Sequence, residues 1–108
     1  MTSENEIEQG FEQEIEEMIQ KAMKTAPRLT PADIDAAIVS EQYWRPQDSA
    51  MIVCVLTLRN GFNTVGWSAP VSPKNFDEEI GMRIAREKAR DKIWELEGYL
   101  LKEKLSKE

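Results

Sequence analysis

Histidine is absent from these 108 residues, and cysteine occurs once, at Cys54. A single chain without histidine cannot build the usual Cys/His zinc site, a Ser-His-Asp triad or a Cys-His pair. Catalysis would have to rest on carboxylates, lysines or a borrowed metal. The chain therefore reads as a binding protein and not an enzyme, with no catalytic residue, metal ligand or cofactor expected. One cysteine also rules out a disulfide within the chain. Cys54 lies in an apolar run and reads as a buried thiol. There is no run of about eighteen apolar residues and no signal-peptide pattern, so a cytosolic protein away from membranes is expected. Internal repeats and low-complexity stretches are also lacking.

What is present suits one small folded domain. Apolar residues make up 41% and charged residues 31% of the chain, ordinary values for a soluble protein with a modest core. The net charge of −6 is unevenly placed. Residues 1–24 hold seven acids and two bases, a net of −5, which leaves −1 for the other 84 residues. Residues 1–26 thus read as an acidic amphipathic arm, and residues 27–108 as a nearly neutral α+β domain. Nucleic acid is a poor partner for such a surface, because counterion release needs a concentrated basic face.

The stretch from Val71 to Leu105 predicts one long amphipathic helix. Ile80, Ile84, Ala89, Ile93, Leu96 and Leu100 recur on one stripe. Asn75 with Glu78 resembles a capping box. Asp77, Glu78 and Glu79 suit the positive end of the helix dipole, and Lys102, Lys104 and Lys107 the negative end. Such a helix would be roughly 45 Å long, longer than so small a domain can cover, so part of it should meet another chain. Trp94 and Tyr99 flank its stripe and suit that contact.

Upstream, residues 4–24 carry Ile7, Phe11, Ile15, Met18, Ile19, Ala22 and Met23 at helical spacing. This helix either docks on the domain or serves as an arm for self-association or partner binding. Thr30-Pro31 starts a second, short helix with Ile34, Ala37 and Ile38 inward, ending near Val39. Residues 40–46 are ambiguous: Tyr43 and Trp44 favour strand, whereas Pro46 ends one. Gln47-Asp48-Ser49 reads as a turn. Met51–Leu58 is apolar on both faces and reads as a central strand. Asn60-Gly61 signals a hairpin in which both residues tolerate positive φ. Phe62–Pro70 returns with Val65, Trp67 and Ala69 on one face, and Gly66 leaves room for a close neighbour. The expectation is a small three-stranded antiparallel meander packed with a long C-terminal helix and preceded by one or two N-terminal helices. The second face of the sheet then needs cover from the N-terminal helix or another subunit.

Four segments, IVSEQY (Ile38 to Tyr43), VLTLRNGF (Val55 to Phe62), SPKNFDEEIG (Ser72 to Gly81) and KIWELEGYLL (Lys92 to Leu101), resemble a family of small tailed-phage and prophage proteins. That family is named from two gene products, numbers forty-nine and sixty-six. The likeness spans about two-thirds of the chain in the right order. Family members often read SACVSPENFD where this chain reads SAPVSPKNFD, and Pro70 in that place is expected to end the strand early. The resemblance implies phage origin and a small non-structural accessory protein. A looser likeness joins the chain to phage sponge proteins, which sequester cyclic nucleotide signals of bacterial defence systems such as Thoeris and CBASS and bind them where subunits meet.

Those likenesses imply action in the cytoplasm of the bacterial host, as a homo-oligomer that sequesters a cyclic nucleotide immune signal. The alternative is a module that docks on a host protein and inhibits or redirects it. The residues that would serve a nucleotide are Arg83, Arg86 and Arg90, whose guanidinium forks suit phosphates, and Phe76, Trp67 and Tyr43, which could stack a base. Two other readings stand beside this one. The arginines could be tied in helical pairs, Glu79 with Arg83 and Arg83 with Glu87, and the aromatics could be core or interface.

Overall fold

The computed structural model describes residues 4–22 and 26–108, with side chains from residue 10 onward. The expectations for the Ile7 side chain, Met23 and Lys24 lie outside the described residues. The elements are α1 (Glu4–Lys21), α2 (Pro31–Ala36), β1 (Ile38–Trp44), β2 (Ile52–Leu58), β3 (Asn63–Ser68), a short 3-10 turn (Pro73–Asn75) and α3 (Glu78–Ser106). The strands form one antiparallel sheet in the order β1-β2-β3. The fold is α+β, as expected.

Local chemistry accounts for each boundary. The Thr30 hydroxyl accepts from Asp33 N at 3.3 Å while the Asp33 carboxylate accepts from Thr30 N at 2.9 Å, a reciprocal cap. α2 ends at Ala36, three residues short of the expected end. Ile38 already pairs with Leu58, and Arg59 N donates to Ala37 O at 3.1 Å, which draws the chain onto the sheet. The ambiguous stretch is thus edge strand, with a bulge at Val39 between the Ile38 and Ser40 pairings. In the β2–β3 hairpin, Gly61 N donates to Leu58 O, and Leu58 N donates to Phe62 O, each at 2.8 Å. Of Asn60 and Gly61, only Gly61 has positive φ, at 88°. The loop is therefore a three-residue turn closed by a left-handed glycine, and not the two-residue form in which Asn60 shares that conformation. Asn60 instead accepts from Phe62 N at 3.0 Å.

The start of the long helix also differs from expectation. Ser72 caps the 3-10 turn, and Phe76 is extended with ψ 129°. Helical geometry therefore cannot begin at Asn75. The cap is Asp77, whose carboxylate accepts from Ile80 N at 3.0 Å.

α3 lies across one face of the sheet. Ile52, Cys54, Leu56 and Leu58 of β2 point into it and form the core with Ala85, Ala89, Ile93, Ile34 and Ala37. Contact with β3 is made by small residues on both sides. Gly81, Ala85 and Ala89 recur every fourth residue of α3 and meet the small residues of β3, Gly66 and Ser68. A Cβ at Gly66 would stand under 3.0 Å from Ala85 O and Ala89 N. Ser68 Oγ donates to Gly81 O at 2.6 Å. Of the expected stripe, Ile80 and Leu100 are exposed because they lie near the helix ends, beyond the best-covered stretch. The radius of gyration is 16.2 Å and the longest dimension 52 Å. A compact chain of this length would have a radius of about 13 Å, so the fold is elongated. α1 packs beside α3 and leaves the opposite face of the sheet uncovered.

Candidate binding site

The arginines of α3 have three different environments. Arg90 is the most buried, its side chain 6% exposed. Its Nε donates to Asp35 Oδ1 at 2.9 Å, its two terminal nitrogens to Glu12 at 2.8 and 3.1 Å, and Nη2 also to Pro31 O at 3.3 Å. Burial alone would lower its pKa, but the hydrogen bonds to Glu12 and Asp35 outweigh that and hold it above the ordinary value. Arg90 is thus the joint that ties α1 and α2 to α3. These hydrogen bonds are all made within the protein, and with Arg86 it lines the hollow of about 890 Å³ among α1, α2 and α3.

Arg86, Arg83 and Tyr43 come together. They line a hollow of about 440 Å³ with Met82, Glu78 and Glu79, where the start of α3 passes the outer edge of β1. Arg86 Nε donates to Glu41 Oε2 at 2.6 Å. Arg83 is held only loosely, 3.8 Å from Glu79 and largely exposed. Tyr43 is half-buried beside Cys54. Burial pushes its phenol up to about 12, with the Cys54 thiol and Glu41 adding to the effect. Burial likewise raises the Cys54 thiol. Glu41, Glu78 and Glu79 offset the positive charge of the two arginines, so the hollow is not a concentrated anion site.

Phe76 and Trp67 lie elsewhere. Phe76 carries the Arg45 guanidinium 4.0 Å from its ring centroid and packs on the edge of the core. Trp67 belongs to the uncovered sheet face. Register places Trp44, Val53 and Trp67 in one row of that face, Gln42, Val55 and Val65 in the next, and Ser40, Thr57 and Asn63 in the third. Those nine residues carry no formal charge, in a chain of which 31% is charged. Trp44 is 64% exposed and Trp67 54%. Among the described residues, cations stand at the rim: Lys88 Nζ lies 5.6 Å from the Trp67 ring, and Lys92 Nζ donates to Val65 O on the outer strand.

The six candidate residues therefore do not form one site. Tyr43, Arg83 and Arg86 share one hollow, Arg90 meets Arg86 at a second while tied to Glu12 and Asp35, Phe76 is at the core edge and Trp67 is on the open face. Reading the sequence residue by residue missed the rows of that face, because they depend on the register of three strands. The signal for Arg90 was available: it lies three residues before the buried Ile93, on the edge of the apolar stripe. Among the described residues, no group of three or more acids, cysteines or histidines is placed to hold a metal ion, and no helix is long and apolar enough to cross a membrane.

No curated protein and no solved structure matches this chain. A family model does match residues 29–105, which takes in α2, all three strands and nearly all of α3 and leaves out α1. The uncovered face, the hollow and the glycine contact all fall within that span, and the chain belongs to the Phage protein (N4 Gp49/phage Sf6 gene 66) family.

Proposed function

We propose that this phage protein is an accessory factor that acts by binding, as a homo-oligomer whose copies meet through the uncovered sheet face. The uncharged, tryptophan-bearing rows on that face are the observation that carries the reading. An antiparallel sheet with one solvated face ordinarily alternates apolar-in with polar-out, and this one presents two tryptophans and three valines outward. A second copy is the natural cover. Net charge of −6 makes copies repel over most of their surface, and a neutral face can be desolvated with the least penalty.

Each tryptophan offers roughly 100 Å² of its surface, so a face-to-face pair removes on the order of 400 Å² from water by these rings alone, about 10 kcal/mol at 25 cal/mol/Å². Association itself costs about 4–15 kcal/mol; at the low end of that cost, with burial of the valines added, the balance reaches the roughly 8 kcal/mol of a micromolar dimer. Light scattering on the full chain over that range tests this. A mass that stays at one copy up to about a hundred micromolar would rule the reading out.

A narrower reading is sequestration of a cyclic nucleotide made by host defence, which would counter that defence. It rests on Arg83, the loosely held and exposed guanidinium of the hollow shared with Tyr43 and Arg86, and works against the glutamates that offset the charge there. A ligand at a hundred times its dissociation constant adds about 2.7 kcal/mol of apparent stability, on the order of 10 °C in melting temperature for a domain of this size. Cyclic dinucleotides, cyclic trinucleotides and cyclic ADP-ribose isomers are the probes. A shift that Arg83→Ala reduces supports sequestration; no shift with any of them removes it.

A further inference from the structure

Given assembly through the open sheet face, as proposed above, the rows on that face also decide how the two copies are turned. The face changes character along β2. Trp44 and Trp67 stand at one end, Val55 and Val65 in the middle, and the Ser40, Thr57 and Asn63 row at the other end. It also differs from edge to edge. Lys88 and Lys92 stand at the β3 edge, Lys88 5.6 Å from the Trp67 ring and Lys92 donating to Val65 O.

Two identical copies that meet face to face are related by a twofold axis lying between their sheets. An aligned pair of sheets keeps its strand directions within about 30°, so that axis runs either along the strands or across them. Along β2, it lays each row on the same row of the partner and β1 over the partner's β3. Tryptophan then meets tryptophan, valine meets valine, and the polar row meets its own kind, where hydroxyls and amides hydrogen-bond. Across the strands through the middle of the face, it lays the tryptophans on the Ser40, Thr57 and Asn63 row and desolvates those groups against apolar rings. Across the strands at the tryptophan row, it sets Lys88 against the partner's Lys88, a like-charge contact, and leaves the valine row outside. We infer that the axis runs along β2, so that Trp67 and Lys88 of each copy form a cluster with the partner subunit's Trp44.

The test uses full-length variants. In a dimer of Trp44→Ser alone or of Trp67→Ser alone, each remaining tryptophan faces a serine. A mixed pair restores one tryptophan contact, Trp67 of the first variant on Trp44 of the second. Fluorescein-labelled Trp44→Ser is titrated with unlabelled Trp44→Ser or Trp67→Ser and read by anisotropy. Both rings are exposed, so both variants should keep the wild-type circular dichroism. Trp67→Ser is expected to bind the labelled chain about tenfold tighter than Trp44→Ser does. Equal affinity would set the tryptophans on the polar row, and weaker affinity would stack each on its own kind; either overturns the inferred axis while wild-type pairing still stands. Crosslinking gives a second measure, with the wild type, whose Cys54 is buried, as the blank. A short bis-maleimide should join two copies of Val53→Cys, which lies beside the axis, and leave Val65→Cys, at the β3 edge, unjoined. The reverse pattern overturns the axis. A wild type that stays a single copy overturns both the axis and the assembly beneath it.

Discussion

Gly66 of β3 lies directly beneath Ala85 of α3, so close that the strand has no space for a Cβ. The helix backbone rests on the strand backbone, with Ala89 N beside the same position and Lys88 Cβ 2.9 Å from where the added carbon would stand. Because the obstructing atoms are mostly main chain, they cannot rotate away. Gly66→Ala is expected to lower unfolding free energy by about 3 kcal/mol or more, at or above the upper end for overpacking. Urea denaturation checks this, and Gly66→Ser should be at least as damaging.

Arg90 supports a second expectation. Replacing it with methionine keeps the stem but strands Glu12 and Asp35 without their partner. Breaking a buried pair from one side costs about 3–5 kcal/mol. Asp35 is itself well exposed, which places the loss near 3 kcal/mol. Hydrogen exchange should show α1 amides losing protection ahead of the sheet, since among the described residues the Glu12 contact is one of two ion pairs that hold that helix.

Tyr43 gives a pH dependence with a definite sign. Its phenol is raised from 10 to about 12 in the fold, chiefly by burial. The neutral form is favoured in the folded state, so the associated stability is fully present below pH 10 and is lost as pH rises from 10 through 12. Absorbance at alkaline pH should show a late tyrosinate step near pH 12 that Tyr43→Phe removes. A Tyr43 step near pH 10 in the folded protein would place the ring in solvent.

Much of this architecture is legible in the residues taken in order. Thr30-Pro31 marks α2, the β-branched run marks β2, and Asn60-Gly61 marks the hairpin, because each depends on chemistry within a few residues. The long helix is legible in its length but not in its cap. Ser72-Pro73 builds a competing turn that moves the start from Asn75 to Asp77. The candidate site is less legible. Arg83, Arg86 and Arg90 share one helix, yet what each touches is decided by Glu79, Glu41 and Glu12, the last of them on an element 78 residues away. The small-residue row Gly81, Ala85 and Ala89 is visible in the spacing, but its meaning appears only when Gly66 and Ser68 are set against it.

The uncovered rows of Trp44 and Trp67 are the core of the functional reading, and sedimentation velocity addresses them most directly. The full-length wild type should move from one copy to two between about 1 and 100 micromolar. The double variant Trp44→Ser, Trp67→Ser should remain a single copy throughout, with its circular dichroism unchanged because neither ring is part of the core. A wild type that stays at one copy, or a double variant that still pairs as the wild type does, would contradict the claim that copies meet through this face.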